Sequence, residues 1–215
     1  MNIIQGDCLS ELNSVDSNTV DCVICDGPYL KAYSTGHRKN VERATTEIQN
    51  DRQFNYPELF SQLKRVMKED AHLYVFGCWQ TGDYMKQTLE QFFKIKSKLI
   101  FVKNNWTGGD LWWSYGQSYE EIWFAMNGRK KLNGGRHRDC LFYDRVAGKK
   151  QLHLNQKPLE MIKFLIQKSS QENDLVLDPF MGVGTTALAC KELNRRFVGM
   201  EIEEKYVEIT KERLK

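Results

Sequence analysis

Two short segments combine residue types that can do chemistry. The first is Asp26-Gly27-Pro28-Tyr29, which follows Val20-Asp21-Cys22-Val23-Ile24-Cys25, an apolar run that reads as a strand buried on both faces. An acid that can accept hydrogen bonds or a proton, followed by Gly-Pro and an aromatic face, can serve a reaction or simply make a turn. The second segment is Leu175-Val176-Leu177-Asp178-Pro179-Phe180-Met181-Gly182-Val183-Gly184-Thr185-Thr186. Here an apolar strand runs into Asp178, then a glycine-containing turn, then a helix. The next strand, Phe197-Val198-Gly199-Met200, ends in Glu201, seventeen residues after Gly184. An acid there can accept hydrogen bonds from both hydroxyls of a ribose, and glycines let a ligand approach the backbone. The turn lacks the lysine of a P-loop and the third glycine of the dinucleotide fingerprint. A nucleoside with a bulky, non-phosphate tail fits it better. With a nucleoside site encoded downstream, the Asp26 segment reads as a reaction centre rather than a turn.

The elements that must position these segments alternate between strand and helix, which predicts an α/β fold with a mostly parallel sheet in one domain, 1–215. Strands are expected at 1–4, 20–25, 72–77, 99–102, 122–125, 174–178 and 196–201. Helices are expected at 57–69, 83–93, 184–193 and 203–214, with a further one opened by Pro158. No helical pattern separates 99–102 from 122–125, so these two are expected to be antiparallel neighbours. The polar stretch 30–55 and the glycine-containing stretch 127–152 read as long loops, which in a compact domain usually carry function or are disordered. Between 106 and 119, Trp112, Trp113 and Tyr115 suit a DNA or dimer surface, or else a packed core or hairpin.

The chain has 215 residues, enough for one sizeable core. It is 41% hydrophobic and 27% charged, an ordinary balance for a globular protein. No apolar run is long enough to span a membrane and the first residues lack signal-peptide character, so a cytoplasmic location is expected. Cys22 and Cys25 form a C-x-x-C, but residues three apart on a strand face opposite ways, so they read as reduced core thiols. The histidines lack metal spacing, and no metal is assigned. The net charge of +3 says little about nucleic acid. Its distribution says more: residues 128–150 hold eight basic side chains, among them Arg129, Lys130, Arg136 and Arg138, against Asp139 and Asp144. Such a cluster can neutralise phosphates, or form a solvated basic loop.

Taken together, these motifs resemble the amino-methylating DNA methyltransferases of the permuted β class, whose D-P-P-Y-type motif comes first and F-x-G-x-G motif last. Here the counterparts are Asp26-Gly27-Pro28-Tyr29 and Phe180-Met181-Gly182-Val183-Gly184. Ile4-Gln5-Gly6-Asp7-Cys8-Leu9, Asn155-Gln156-Lys157-Pro158 and Tyr119-Glu120-Glu121-Ile122-Trp123 are similar to further segments of the family, in the same order. The resemblance implies a Rossmann-like methyltransferase fold, mostly parallel with an antiparallel strand, in circularly permuted motif order. It implies S-adenosylmethionine as cofactor, held by Asp7 and Cys8 near the adenine, by Lys157 and Pro158 near the methionine, and by Asp178, Phe180, Gly182, Gly184, Thr185, Thr186 and Glu201. It also implies that Asp26 and the Gly27 carbonyl accept the two N–H groups of a target amino group, with Pro28 shaping the loop and Tyr29 stacking on a base flipped out of double-stranded DNA. Gly27 departs from the family's proline. It keeps the carbonyl and loses the fixed φ of proline.

In the family the segment here numbered 127–152 carries target recognition, which makes Arg129, Lys130, Arg136 and Arg138 candidate DNA contacts. His37, Arg38 and Lys39 are candidates in the other loop. Asp26, where cytosine-N4 enzymes more often have serine, points to adenine N6. The alternatives are cytosine-N4 methylation, an inactive cofactor- and DNA-binding partner subunit, or action on RNA or protein amides. A homodimer and a cognate restriction endonuclease are further expectations from the family.

Overall fold

The computed structural model describes residues 1–30, 53–104, 112–113, 115–144, 146, 152 and 156–215. Eight strands form one sheet: β1 (Asn2–Gln5), β2 (Val20–Cys25), β3 (Met67–Gly77), β4 (Lys94–Lys103), β5 (Tyr119–Asn127), β6 (Cys140–Tyr143), β7 (Leu175–Asp178) and β8 (Arg196–Glu201). Their order across the sheet is β1-β8-β7-β2-β3-β5-β4-β6. Only β5 runs against the rest, pairing antiparallel with β3 and β4. The α/β reading and the antiparallel pair at 99–102 and 122–125 are both observed.

Helices cover the two faces of the sheet. α1 (Cys8–Glu11), α2 (Tyr56–Val66) and α3 (Gly82–Glu90) pack on one face, and α4 (Leu159–Ser169), α5 (Thr185–Glu192) and α6 (Glu204–Arg213) on the other. β2 shows why its run is apolar throughout: Val23 and Cys25 enter one core, Cys22 and Ile24 the other. The two thiols of the C-x-x-C therefore diverge, as their spacing predicts, and both are free. No helix among the described residues is long and apolar enough to cross a membrane.

Three boundaries differ from the sequence expectation, each for a tertiary reason. The helix expected at 57–69 starts under an Asn55 side-chain cap on Glu58 N and stops at Val66. Met67 pairs with Val20 and Lys68 meets Asp21 at 2.8 Å, so strand pairing overrides the helical stripe. β4 begins five residues before its expected start because residues 94–98 have no β6 partner and carry three lysines and a serine around Ile95, which hides them from an apolar pattern. The stretch 127–152 is not one loop, because β6 lies inside it and pairs with β4 from Ile100 to Lys103.

β2 and β7 are neighbours, with Cys22 opposite Val176. The chain leaves β2 for α2 on one face and leaves β7 for α5 on the other. Such a point opens a crevice beyond the carboxyl ends of the strands. Both candidate segments begin there.

Candidate active site

β7 delivers Asp178 into the crevice, where it is 3% exposed. Its Oδ1 accepts from Phe180 N at 3.0 Å and its Oδ2 from the Thr186 hydroxyl at 2.5 Å. Burial pushes the carboxyl up to about 7, against the pull of those two donors. Asp178 thus braces the glycine turn from beneath. Met181 N donates to Met200 O at 2.8 Å and ties the turn to β8.

Gly182 and Gly184 both have positive φ, +54° and +76°. Their surroundings differ. A β-carbon on Gly184 would lie 2.6 Å from Thr210 Oγ1 of α6, so helix packing by itself requires glycine there. A β-carbon on Gly182 would meet no atom within 4 Å, so space is open over that part of the turn. Thr185 and Thr186 are buried in the first turn of α5, and the Thr186 hydroxyl is engaged by Asp178. These residues shape the turn.

Glu201 ends β8 beside the turn. Its Oε2 accepts from Gly182 N at 2.8 Å and its Oε1 from Glu203 N at 2.9 Å, while burial raises its carboxyl above the ordinary value. A carboxylate offers about four acceptor positions, so each oxygen retains capacity for a hydroxyl donor. Across the β1–β8 pair, Gly6 N donates to Glu201 O at 2.9 Å, which sets Asp7 and Cys8 next to this acid. Asp7 Oδ1 caps α1 through Leu9 N at 3.0 Å, and Cys8 is buried. An acid with spare acceptors beside open space over a glycine turn is a donor set that fits a nucleoside.

Asp26-Gly27-Pro28-Tyr29 follows β2 one strand away. The loop is held by side chains from elsewhere. The Tyr56 hydroxyl donates to the Pro28 carbonyl at 2.6 Å, and the Thr81 hydroxyl donates to the Tyr29 carbonyl at 3.0 Å. A β-carbon on Gly27 would lie 2.7 Å from Phe180 Cε2 and 2.7 Å from the Tyr56 hydroxyl. The proline of the family pattern would therefore need both rings to move. The order that Gly27 cannot supply through its own φ comes instead from Tyr56, Thr81 and the packed Phe180 ring.

Asp26 and Tyr29 are joined by groups from distant strands. The Tyr29 hydroxyl donates to Asp26 Oδ1 at 2.9 Å. Lys157 Nζ lies 2.8 Å from Asp26 Oδ2, 3.1 Å from the Tyr29 hydroxyl and 3.2 Å from Glu120 Oε2. Lys157 was expected at the methionine part of a cofactor. Its ammonium sits on Asp26, and its three N–H donors are matched by these acceptors. Pro158 follows as the residue before α4. Burial disfavours the Lys157 charge, but Asp26 and Glu120 outweigh it and raise the ammonium above its ordinary range. Burial would likewise raise Glu120, but Lys157 and Lys103 hold it down at about 2. Burial and the neighbouring Asp26 and Glu120 carboxylates keep the Tyr29 phenol protonated. Glu120, Lys103, Tyr56 and Thr81 are site residues that sequence reasoning did not single out. The available signal was the pair of acids opening an otherwise apolar strand at 119–127.

The basic candidates separate. Arg129 and Lys130 follow β5, whose far end is level with Ala71 at the start of β3, whereas Asp26 follows Cys25, level with Val75. Those levels place Arg129 and Lys130 roughly 15–20 Å from the reaction centre, at the opposite rim of the sheet. There Arg129 N donates to Asp70 and the Lys130 carbonyl contacts His72 Nε2 at 3.2 Å. β6 then carries the chain back, with Tyr143 level with Lys103 at the reaction-centre rim. Arg136 and Arg138 are exposed on the approach to it. Trp112, Trp113 and Tyr115 are 87%, 88% and 101% exposed, so they are not core residues. His37, Arg38 and Lys39 lie outside the described residues.

A mostly parallel sheet with a nucleoside-type turn and an acid–aromatic loop on adjacent strands defines an α/β enzyme of the Rossmann-like class. Within that class the chain belongs to the DNA methylase family, whose model matches residues 20–212. It is 27% identical to the type II methyltransferase M2.MboI of Moraxella bovis, over 99% of this chain and 86% of that protein. It is 26% identical to the DNA adenine methyltransferase YhdJ of Escherichia coli K12, over 99% of this chain and 82% of that protein. The fold superposes on the crystal structure of the M1.HpyAVI–SAM complex with a TM-score of 0.75 at 25% identity, covering 100% of this chain and 99% of that one.

Proposed function

We propose that this protein transfers a methyl group from S-adenosylmethionine to the exocyclic amino nitrogen of a base flipped out of double-stranded DNA, with adenine N6 as the target. The observation that carries this reading is the contact between the two sites: Phe180 of the glycine turn packs against Gly27 of the reaction loop. A nucleoside on the turn and a base on the loop would share one crevice.

When bound, the cofactor supplies an activated methyl group on a sulfonium. Glu201 takes the ribose hydroxyls, Asp7 and Cys8 border the adenine, and Phe180 and Gly182 line the open space above the turn. Asp26 and the Gly27 carbonyl accept the two amino hydrogens, which draws the nitrogen towards tetrahedral geometry and frees its lone pair. Lys157 and Tyr29 take one position on each Asp26 oxygen, and the carboxylate retains others for an N–H donor. Alignment of this kind can contribute on the order of 7 kcal/mol to lowering the barrier. Tyr29 stacks on the base and offsets roughly 1–3 kcal/mol of the flipping cost. Arg136 and Arg138 contact the phosphates beside the target base, and Arg129 and Lys130 contact phosphates further along the duplex.

The adenine assignment is supported by Asp26 in the position where cytosine-N4 enzymes favour serine, and by a relative that bears the name of a DNA adenine methyltransferase. Several relatives are named type II methyltransferases, which supports a cognate restriction endonuclease as partner.

The test is to incubate the protein with unmethylated genomic DNA and labelled S-adenosylmethionine, then hydrolyse the DNA and identify the modified nucleoside. N6-methyladenine is expected. N4-methylcytosine would move the assignment to the other base, and no labelled nucleoside would overturn it. Asp26→Ala should abolish the product while cofactor binding persists.

A further inference from the structure

The charged groups of the reaction centre form a line. Lys103 Nζ lies 2.5 Å from Glu120 Oε1, Glu120 Oε2 lies 3.2 Å from Lys157 Nζ, and Lys157 Nζ lies 2.8 Å from Asp26 Oδ2. The signs alternate and cancel. Four different parts of the chain supply the members: the end of β4, the start of β5, the residue pair before α4, and the loop after β2. Side-chain exposure is 15% at Lys103, 14% at Glu120, 7% at Lys157 and 23% at Asp26, so the line is driest at Lys157 and opens to water at Asp26.

We infer that Glu120, anchored by Lys103, is a positioning residue that holds the Lys157 ammonium on Asp26 and Tyr29, and that Lys157 serves the base side of the crevice rather than the cofactor side. This rests on the amino-methylation reading. Three acceptors surround an ammonium with three donors, so a fourth acceptor on a cofactor would displace one of them. Glu120 is the acceptor that does not belong to the reaction loop. Its place is therefore to fix where the ammonium sits. The ammonium in turn fixes one oxygen of Asp26, and through the Tyr29 hydroxyl it fixes the other and the plane of the ring. Loss of Glu120 would return rotamer freedom to a long side chain at the point where the acceptor for the amino group is set.

The line also makes a prediction about charge. Removing Lys157 alone leaves Asp26 and Glu120 facing each other as two carboxylates. Removing Lys157 and the Glu120 charge together leaves one carboxylate, Asp26, with no like charge facing it. The double change should therefore be milder than the single one, an order that simple packing does not produce.

The experiment uses the full chain as Glu120→Gln, Lys157→Met and the double variant, each checked for folding by circular dichroism. Methylation of unmethylated DNA gives kcat and KM, calorimetry gives the S-adenosylmethionine Kd of the DNA-free protein, and carboxyl-carbon NMR follows the titration of Glu120. Lys157→Met should lower kcat about 100-fold and Glu120→Gln about tenfold, with the cofactor Kd held within about twofold in both. The double variant should recover about tenfold over Lys157→Met. The Glu120 titration, near 2 in the native protein, should move up in Lys157→Met. A cofactor Kd weakened tenfold or more in Lys157→Met, with kcat intact, would make Lys157 a cofactor ligand and overturn the inference. So would a double variant no better than the single one. Absence of any methylated base with the native protein would defeat the proposed function instead, and the Glu120 titration and cofactor Kd would still decide this inference. Should Lys157→Met not fold, Glu120→Gln decides by the same split: reduced kcat at an unchanged cofactor Kd supports it, and unchanged kcat overturns it.

Discussion

Asp178 is a buried carboxylate and Glu120 a largely buried one at the same rim of the sheet, and burial pushes both towards the neutral acid. They end up on opposite sides of the ordinary value, about 7 for Asp178 and about 2 for Glu120. The difference lies in what answers burial. Asp178 has only neutral donors, the Thr186 hydroxyl and the Phe180 N–H, all within the stretch from 178 to 186. Glu120 has two ammonium groups, one from β4 and one from the segment before α4. The glycine turn is thus a local construction that needs little beyond its own sequence. The cluster around Asp26 is a charge assembly that exists only once distant segments have met.

The sharpest way to break this comparison is Lys157→Met. It should cost about 3–5 kcal/mol in urea unfolding at neutral pH, because it leaves buried carboxylates uncompensated. A loss under about 1 kcal/mol would mean that the line is solvated like a surface ion pair.

Next comes pH. The unfolded chain releases the Asp178 proton near 3.8 and the native protein holds it to about 7, so this group's stabilisation is complete below 3.8 and declines as pH rises to about 7. Glu120 does the reverse. Its native value of about 2 lies below the ordinary 4.5, so its stabilisation is complete above 4.5 and declines as pH falls towards 2. In unfolding titrations, Asp178→Asn should remove the decline between about pH 4 and 7, and Glu120→Gln the one between about pH 4.5 and 2. The changes are on the order of 4 kcal/mol for Asp178 and about 3 kcal/mol for Glu120. Matching signs for the two acids would end the distinction.

Within the glycine turn, Gly184→Ala should destabilise by about 3 kcal/mol, since it adds contact with Thr210 to left-handed strain. Gly182→Ala should cost only the strain, about 1 kcal/mol, and should weaken cofactor binding more than stability. The smallest expected effect is Tyr56→Phe, which removes the buried hydrogen bond to the Pro28 carbonyl and costs about 1 kcal/mol, with a larger fractional fall in kcat.

The same contrast explains what was legible in the sequence. The strand, glycine turn, helix, strand and acid from Leu175 to Glu201 are contiguous, so their arrangement is visible in the sequence itself. Asp26 and Tyr29 were legible as types at the end of a buried strand. The partner that engages them, Lys157, lies 128 positions from Tyr29, and nothing in its neighbours marks the ammonium for a carboxylate rather than a cofactor. Glu120 was in a recognised segment, but an acid at the start of a strand looks like a solvated end until Lys103 and Lys157 are placed around it. β6 escaped notice because four residues in a basic, glycine-containing stretch make too short a pattern, and its pairing with β4 is what makes it a strand. The packing of Gly184 on Thr210 of α6 was not legible, because a glycine required by a neighbouring helix looks the same in one dimension as a glycine required by a ligand.

The packing of Phe180 against Gly27 has a thermodynamic meaning. Phe180 belongs to the turn and Gly27 to the loop, so any occupant that shifts one ring changes the free energy of occupying the other site. Such linkage is reciprocal: if a seated base tightens the hold on the nucleoside by some factor, the nucleoside tightens the hold on the base by the same factor. A side chain at position 27 would enter that linkage directly, and glycine leaves it to the Phe180 ring and the Tyr56 hydroxyl that border this position.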